Sequence, residues 1–353
     1  MTADTVGGVW TYALDLSRAL APHGVSVSLA TMGRLPNAAQ YAEAALVSNL
    51  TLHPSEFALE WMPDPWDDVG RAGDWLLALE AELRPDIVHL NGYAHGDLPW
   101  HAPALIAGHS CVLSWWQAVH GTKAPQGWNR YRAEVTAGLQ AAGLVAAPTQ
   151  AMLAALQTHY GPLKHMRVVP NGRDRALFAP QTQKEPFVFS AGRLWDDAKN
   201  VRALTETAPR LPWPVCVAGD TARPDDGEDG GFDSVRLLGC LPPDQITDWL
   251  ARAAIYALPA KYEPFGLSAL EAGLSGCALV LGDIDSLREV WGDAALFVPP
   301  SDLDALHAAI SRLIADPDLR SALAARALAR AKAYTPERMA YGYLNAYHTL
   351  LGD

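Results

Sequence analysis

Short apolar runs alternate with amphipathic stretches along the whole chain. Apolar runs bounded by polar turns predict buried strands, and apolar residues recurring every three or four positions predict helices. The predicted strands are 25–31, 86–90, 144–147, 166–169, 187–190, 215–218, 235–238, 255–258, 278–281 and 296–298. The predicted helices are 9–20, 67–83, 128–142, 150–160, 200–208, 244–253, 267–275, 302–315 and 319–334. This alternation favours an α/β fold built on parallel sheets.

A length of 353 residues suits two domains rather than one core. The polar stretch 171–186 contains two prolines and no periodicity, so it separates the halves. We expect an N-terminal Rossmann-like domain over 1–175 and a C-terminal one over 176–335, with 336–353 as a C-terminal helix that packs back on the first domain. Two doubly wound domains would enclose a central cleft lined by the carboxyl ends of their strands. Residues 222–233 are expected to form a mobile surface loop.

Charge and composition exclude several classes of protein. The 27 Lys and Arg residues are outnumbered by 39 Asp and Glu residues, which argues against a nucleic-acid partner. Neither an apolar run of about 20 residues nor a polybasic run is present, so no integral membrane contact is expected. The first ten residues lack the pattern of a signal peptide. The four cysteines lie among apolar residues and are expected to be buried thiols in a reducing cytoplasm: Cys111, Cys216, Cys240 and Cys277.

The segment KYEPFGLSALEAGLSGCALV, residues 261–280, carries the strongest local signal. Glu263 follows a predicted strand, and Gly266 opens a helix that carries Glu271 about one turn inside. The free N–H groups at a helix start suit a phosphate, and a carboxylate one turn along can accept hydrogen bonds from two ribose hydroxyls. By spacing alone, a loop–helix junction with two solvated glutamates is the better explanation.

The segment SAGRLWDDAKN places Arg193 and Lys199 after another predicted strand. Two cations at the carboxyl end of a strand can neutralise a diphosphate leaving group, and the arginine can do so with a bidentate fork. Surface ion pairs with Asp196 or Asp197 explain the same residues equally well.

Gly7 and Gly8 precede the first predicted helix and would let the backbone approach a ligand closely. Such a pair alone is more typical of a tight turn. Because few residues precede it, we expect Met1 to Ala3 to pair as a short parallel strand. The first domain is then expected to be the less stable of the two.

Taken in order, these segments resemble the retaining GT-B glycosyltransferases of family 4, also called glycosyltransferase group 1. The resemblance spans nearly the whole chain, from GGV at the start through PNGRD and GRLWDDAKN to YEPFGLSALEAG, with its E-x7-E spacing, and LREVWGDAALFVPPSDLDAL. It implies an enzyme that moves a sugar from a nucleotide diphosphate sugar to an acceptor hydroxyl by front-face substitution. It also implies that neither a cofactor nor a metal ion is needed.

The resemblance assigns roles residue by residue. Arg193 and Lys199 would bind the donor diphosphate, Glu271 the ribose, and Glu263 the hydroxyls of the donor sugar. The backbone at Phe265, Gly266 and Leu267 would meet the phosphate or sugar.

In the first domain, Gly7 and Gly8 would line the opposite wall of the donor site. The family has a histidine after a strand, near the 6-hydroxyl of the donor sugar. His109, in PALIAGHS, is the match, and His120, in QAVHG, is the alternative.

Two departures stand out. The segment GDIDSLRE replaces a Gly-Gly pair frequent in relatives, and Ala260 replaces a serine. Asp283 and Asp285 spell D-x-D, a metal motif of a different glycosyltransferase fold. We discount it because two basic residues already serve the diphosphate, and we find no cluster with zinc-ligand spacing.

The acceptor is expected to be a saccharide or another small soluble molecule. Indole rings stack on sugars, so Trp10, Trp115 or Trp116 could line its site, although most tryptophans fill cores. A nucleotide-sugar epimerase of GT-B architecture and a non-enzymatic two-domain sugar-binding protein are the alternatives. The donor base, whether UDP, GDP or ADP, is left open.

Overall fold

The structure is a computed structural model that describes residues 1–5, 7–221 and 231–352. Most of the stretch expected to be a mobile loop, 222–233, therefore lies outside the described residues. Contacts divide the chain into two compact units. The first comprises Met1–Gln117, Thr122–Gly172 and Pro336–Asp353, and the second comprises Ala118–Gly121 and Arg173–Thr335.

Every strand pairing in the described residues is parallel. The first unit contains β1 (Thr2–Asp4), β2 (Val27–Met32), β3 (Leu50–Pro54), β4 (Val88–Leu90), β5 (Ala104–Ala107), β6 (Leu144–Ala147) and β7 (Met166–Val168). The second contains β8 (Glu185–Ala191), β9 (Val215–Ala218), β10 (Arg236–Leu237), β11 (Ala253–Leu258), β12 (Ala278–Gly282) and β13 (Leu296–Val298).

Most of the described helices lie between strands along the chain, as the alternating pattern predicts, and the last three follow β13. They are α1 (Gly8–Leu20), α2 (Ala38–Ala45), α3 (Trp66–Leu83), α4 (Val112–His120), α5 (Asn129–Ala141), α6 (Gln150–Tyr160), α7 (Val201–Thr207), α8 (Pro243–Arg252), α9 (Leu267–Leu274), α10 (Asp285–Trp291), α11 (Leu303–Ala315), α12 (Pro317–Ala331) and α13 (Pro336–Leu351). None of the described helices is long and apolar enough to cross a membrane.

The strands of the first unit form two sheets, in the orders β3-β2-β1 and β4-β5-β6-β7. The expected short strand at the start of the chain is confirmed over Thr2–Asp4, where it pairs with β2. No ladder of backbone bonds joins β1 and β4. The side chain of Asn91, which follows β4, links them instead, because its Nδ2 donates to Thr2 O at 2.7 Å. Helices α1 and α13 share one apolar cluster, in which Tyr12 and Tyr343 are fully buried.

The second unit is one six-stranded sheet in the order β10-β9-β8-β11-β12-β13. Apolar side chains from both faces of this sheet are buried, as expected for a parallel sheet covered on both sides. The ammonium of Lys184, directly before β8, donates to the carbonyls of Leu250, Ala251 and Ser275 at 2.5–3.1 Å. This lysine therefore satisfies carbonyls at the carboxyl ends of α8 and α9 that have no partner within their helices.

The cysteines are free thiols. Burial is confirmed for Cys111, Cys216 and Cys277, but the expectation is wrong for Cys240, which is exposed. Cys240 follows the two-residue edge strand β10, where little structure covers the chain.

Candidate active site

The GRLWDDAKN motif and the E-x7-E motif, predicted separately in the second half of the chain, meet at the edge of the sheet formed by the carboxyl ends of its strands. Strands β8 and β11 are neighbours, so the loops at their carboxyl ends lie side by side. Lys261 N donates to Ala198 O at 2.8 Å. Asn200 Nδ2 donates to the carbonyls of Pro259 and Pro300, both at 2.8 Å. Three loops of this edge are thereby fastened together.

Arg193 pairs with Asp196, one of the two partners that the sequence left open. Its Nη2 donates to Asp196 Oδ2 at 2.9 Å, and Ala198 N donates to the other carboxylate oxygen at 3.0 Å. The aspartate side chain is only 5% exposed whereas the arginine side chain is 42% exposed. The pair is thus anchored inside the loop, and it leaves much of the guanidinium accessible to an anion.

Lys199 and Glu263, from the two adjacent loops, form a hydrogen-bonded ion pair at 2.5 Å. Their side chains are 19% and 11% exposed, so the pair is largely shielded from water. The backbone of the glutamate is also held, because Ser286 Oγ donates to Glu263 O at 2.6 Å. An ammonium has three N–H donors, so one bond to a carboxylate leaves donors for a phosphate oxygen.

Gly266 lies at the N-cap of α9 with φ 90° and ψ 65°, a conformation that favours glycine. A Cβ at this position would lie 3.2 Å from Leu287 Cδ2. The helix then begins at Leu267, and Phe265 packs its buried ring against Tyr334 with centroids 5.5 Å apart. The first N–H groups of a helix have no intrahelical partner, so this end can bind an anion.

Glu271, one turn into α9, forms an ion pair that sequence reasoning missed. Arg173 Nε lies 2.9 Å from Glu271 Oε1, and the side chains are 12% and 16% exposed. The guanidinium also stacks over the Phe178 ring at 5.4 Å. The sequence motif PNGRD was recognised, but the sequence of the motif does not show which residue pairs with its arginine.

In the first unit, the predicted residues follow strands β1 and β5. Gly7, with φ 91° and ψ −147°, is the N-cap of α1 and lies three residues after the end of β1, and both it and Gly8 are exposed. His109 follows β5, and its Nε2 lies 2.8 Å from Oδ1 of Asn91, which follows β4. Burial lowers the pKa of His109 to about 4. Asn91 was not identified from the sequence.

A second group missed by sequence reasoning is Glu60, in the loop before α3. It accepts hydrogen bonds from Tyr93 N at 3.0 Å and Ala94 N at 2.7 Å, in the loop that follows β4. Burial raises the pKa of Glu60 to about 7, against the lowering effect of these two N–H groups. A lone glutamate in a loop carries no sequence signal for this contact.

The candidate acceptor residues differ in their exposure. Trp10 is a core residue: it is 4% exposed and its Nε1 donates to Glu43 at 2.8 Å, so its ring is not available to stack on a sugar. Trp115 and Trp116 are half-buried neighbours on α4, edge to face with ring centroids 6.3 Å apart. His120 is exposed at the end of the same helix.

Asp283, in the D-x-D sequence, pairs with an arginine of α10. Both carboxylate oxygens of Asp283 accept hydrogen bonds from Arg288, which lowers the pKa of that aspartate. Among residues 1–5, 7–221 and 231–352, no group of three or more His, Cys, Asp or Glu side chains is placed to hold a metal ion.

Residues 6–177 match the family described as Glycosyltransferase Family 4, and residues 185–316 match that described as Glycosyl transferases group 1. The chain is 34% identical over 196 residues to O-antigen chain mannosyltransferase B of Escherichia coli, a match that covers 50% of this chain and 51% of that relative. The chain thus spans about half the length of this curated relative.

A longer alignment relates the chain to D-inositol 3-phosphate glycosyltransferase of Nocardia farcinica (strain IFM 10152), with 25% identity over 98% of this chain and 86% of the relative. The fold is similar to that of a sucrose-phosphate synthase from Thermosynechococcus elongatus, with a TM-score of 0.82, 21% identity, and coverage of 99% and 96% of the two chains. The fold is therefore GT-B, with two Rossmann-like domains. Since the two family matches together span most of its length, the chain belongs to glycosyltransferase family 4, group 1.

Proposed function

We propose that this protein is a retaining glycosyltransferase that moves a sugar from a nucleotide diphosphate sugar to a hydroxyl of a saccharide or another soluble acceptor. One observation carries the proposal: the Lys199–Glu263 pair joins two loops at the edge of the sheet where α9 begins. Cation, carboxylate and free helical N–H groups at one edge suit a ligand with a diphosphate at one end and sugar hydroxyls at the other.

In this proposal the second unit stabilises the departing diphosphate. Negative charge grows on the phosphate oxygens as the glycosidic bond breaks. Arg193 and Lys199 oppose it with two positive charges that are already held in place by Asp196 and Glu263. Groups fixed in advance do not have to reorganise during the reaction, so they stabilise the transition state effectively.

The two glutamates contact hydroxyls at opposite ends of the donor. Glu263 accepts hydrogen bonds from the donor sugar while its second interaction, with Lys199, holds the carboxylate beside the cation that binds the diphosphate. Glu271 accepts hydrogen bonds from the ribose, and Arg173 holds its carboxylate from the side. A carboxylate accepts several hydrogen bonds at once, so neither ion pair prevents this role.

The acceptor hydroxyl attacks from the face that the diphosphate leaves, through an oxocarbenium-like state. A leaving phosphate oxygen takes the acceptor proton, so no protein base is required. No metal ion is required because Arg193 and Lys199 supply the positive charge. His109 contacts the donor sugar in this proposal, and Trp115 and Trp116 are candidate contacts with the acceptor.

An assay of UDP-, GDP- and ADP-sugars, each with and without saccharide acceptors, tests the proposal. We expect nucleoside diphosphate release that depends on an acceptor, and NMR of the product should show the anomeric configuration of the donor. Release without an acceptor, together with an epimerised sugar, would indicate an epimerase instead. Binding of nucleotide sugars without any release would indicate a sugar-binding protein.

A further inference from the structure

Three polar residues form a hydrogen-bonded chain: Thr2 at the start of β1, Asn91 directly after β4, and His109 just after β5. His109 Nε2 lies 2.8 Å from Asn91 Oδ1, and Asn91 Nδ2 lies 2.7 Å from Thr2 O. The backbone N–H of Asn91 also donates to Thr2 Oγ1 at 2.9 Å. The amide of Asn91 is therefore fixed at both of its ends.

The chemistry of this chain determines which nitrogen of His109 carries the hydrogen. Thr2 O is a backbone carbonyl and can only accept, so the amide group facing it must be the NH2 of Asn91. The carbonyl of Asn91 then faces His109, and it too can only accept. Nε2 of the imidazole must therefore be the N–H donor, and in the neutral ring Nδ1 carries the lone pair.

The surroundings keep the ring neutral and its Nδ1 available. The pKa of His109 is lowered to about 4 by burial, so the imidazole carries no charge near pH 7. The Tyr12 ring packs edge-on against it at a centroid distance of 4.4 Å, which fixes the plane of the imidazole. In the part of the chain that the structure describes, no hydrogen bond is formed to His109 Nδ1.

We propose that Asn91 is a positioning residue, which holds His109 as the neutral Nε2–H tautomer so that Nδ1 accepts a hydrogen bond from a hydroxyl of the bound sugar. The inference rests on the proposed function, in which His109 contacts the donor sugar. It also defines a substrate class. The lone pair of Nδ1 favours a sugar that has a hydroxyl at the position facing this nitrogen. It disfavours a sugar with a carboxylate or a methyl group at that position, since neither can donate a hydrogen bond.

The tautomer can be measured without any assay of transfer. In protein labelled with 15N-histidine, long-range 1H–15N correlation spectra distinguish Nε2–H from Nδ1–H rings, and His109→Gln identifies the signal among the 11 histidines. We expect wild-type His109 to be the Nε2–H tautomer at pH 7. An Nδ1–H ring in the wild type would overturn the proposal, and this measurement needs no variant beyond that used for assignment.

Variants then test whether Asn91 sets the tautomer. Asn91→Ala should give a mixture of tautomers and lower kcat/KM about 10-fold, the effect of losing one hydrogen bond of about 1.4 kcal/mol. Asn345→Ala, at an exposed position of α13, is the matched control and should change neither quantity. Circular dichroism checks that each variant is folded.

The outcomes separate the two proposals. An unchanged tautomer or unchanged kcat/KM in folded Asn91→Ala would overturn the positioning role. The wild type should also turn over donors that carry the hydroxyl at least 10-fold faster than the matching uronate or deoxy donors, and equal turnover would overturn the substrate class. Failure of the wild type to transfer any sugar, with the tautomer as expected, would instead contradict the proposed function.

Discussion

Arg173, in the segment predicted to separate the two domains, reaches the carboxylate of Glu271 on helix α9, with Nε 2.9 Å from Oε1. The two residues are far apart in the sequence, and each is largely buried. Glu271, the proposed ribose contact, is therefore oriented by a residue that lies outside the E-x7-E motif.

Replacing Glu271 tests the ribose contact. Glu271→Ala should weaken binding of the nucleoside diphosphate by about 1–3 kcal/mol, because it removes a charged partner from ribose hydroxyls. Isothermal titration calorimetry with the free nucleoside diphosphate measures this. Glu206→Ala, at an exposed glutamate of α7, should bind as the wild type does. Unchanged affinity in Glu271→Ala would remove that residue from the ribose role.

A double-mutant cycle tests whether Arg173 acts through Glu271. Arg173→Ala should also weaken nucleoside diphosphate binding, since the carboxylate loses the partner that holds it. The double variant Arg173→Ala/Glu271→Ala should bind no more weakly than Glu271→Ala alone, with a coupling energy of about 0.5–3 kcal/mol. Additive losses would mean that Arg173 contacts the ligand independently.

The two cations proposed for the diphosphate should affect turnover more than stability. Arg193→Ala and Lys199→Ala should each lower kcat by about 10²–10³-fold, the effect of removing one preorganised transition-state contact. Arg210→Ala and Lys332→Ala, at exposed positions, are the matched controls. Urea unfolding of each variant separates the loss of turnover from loss of fold, and full activity in either site variant would contradict its assignment.

The proposed reaction should proceed without a metal ion. We expect the rate of nucleoside diphosphate release to be unchanged in excess EDTA, because the positive charge comes from protein side chains. Loss of activity that Mg²⁺ or Mn²⁺ restores would contradict this and would direct attention back to Asp283 and Asp285.

Acidification should destabilise the fold through His109. Its folded-state pKa of about 4 lies below the ordinary value of 6.5, so the unfolded chain binds a proton first as the pH falls. Stability due to this group is complete above pH 6.5 and falls by about 2–3 kcal/mol towards pH 4. Glu60, whose raised pKa is about 7, acts in the opposite direction between about pH 7 and 4.5.

Because the two groups act in opposite directions, the contribution of His109 is measured as the difference in unfolding free energy between the wild type and a variant without the imidazole. Denaturant unfolding of the wild type and of His109→Gln should be compared from pH 7.5 to 4.5. The stability of the variant should fall less steeply than that of the wild type. Parallel curves would show that the imidazole is not buried in its neutral form.

Much of the fold could be predicted because its strands are apolar runs with clear polar ends. The runs 144–147, 215–218 and 296–298 coincide with the strands of the structure. Strand β3 was missed because none of its five residues is buried and it ends at Pro54, so it has no continuous apolar run. Strand β5 was missed although it is as long as β6 and β9, and the seven residues of helix α10 are too few for a helical period to be recognised.

The candidate site could be predicted only where a motif is local. The loop cations and the E-x7-E glutamates could be proposed as site residues because each group lies within one short segment. Arg173 and Asn91 were not, because their partners, Glu271 and His109, lie on other elements and only the folded chain brings them together. Trp10 was misassigned since an indole has the same sequence signature in a core and on a sugar site.

The amide of Asn200 reaches two proline carbonyls from different loops. Proline has no N–H, so the chain around Pro259 and Pro300 has fewer backbone donors with which to tie itself down. If hydrolysis of the amide converted Asn200 to aspartate, a negative charge would face both carbonyls, and the side-chain bonds to the loops at Pro259 and Pro300 would be lost. The bond from Lys261 N to Ala198 O would remain. Ageing of the protein by this single chemical event would therefore loosen the loops of the proposed donor site without separating them completely.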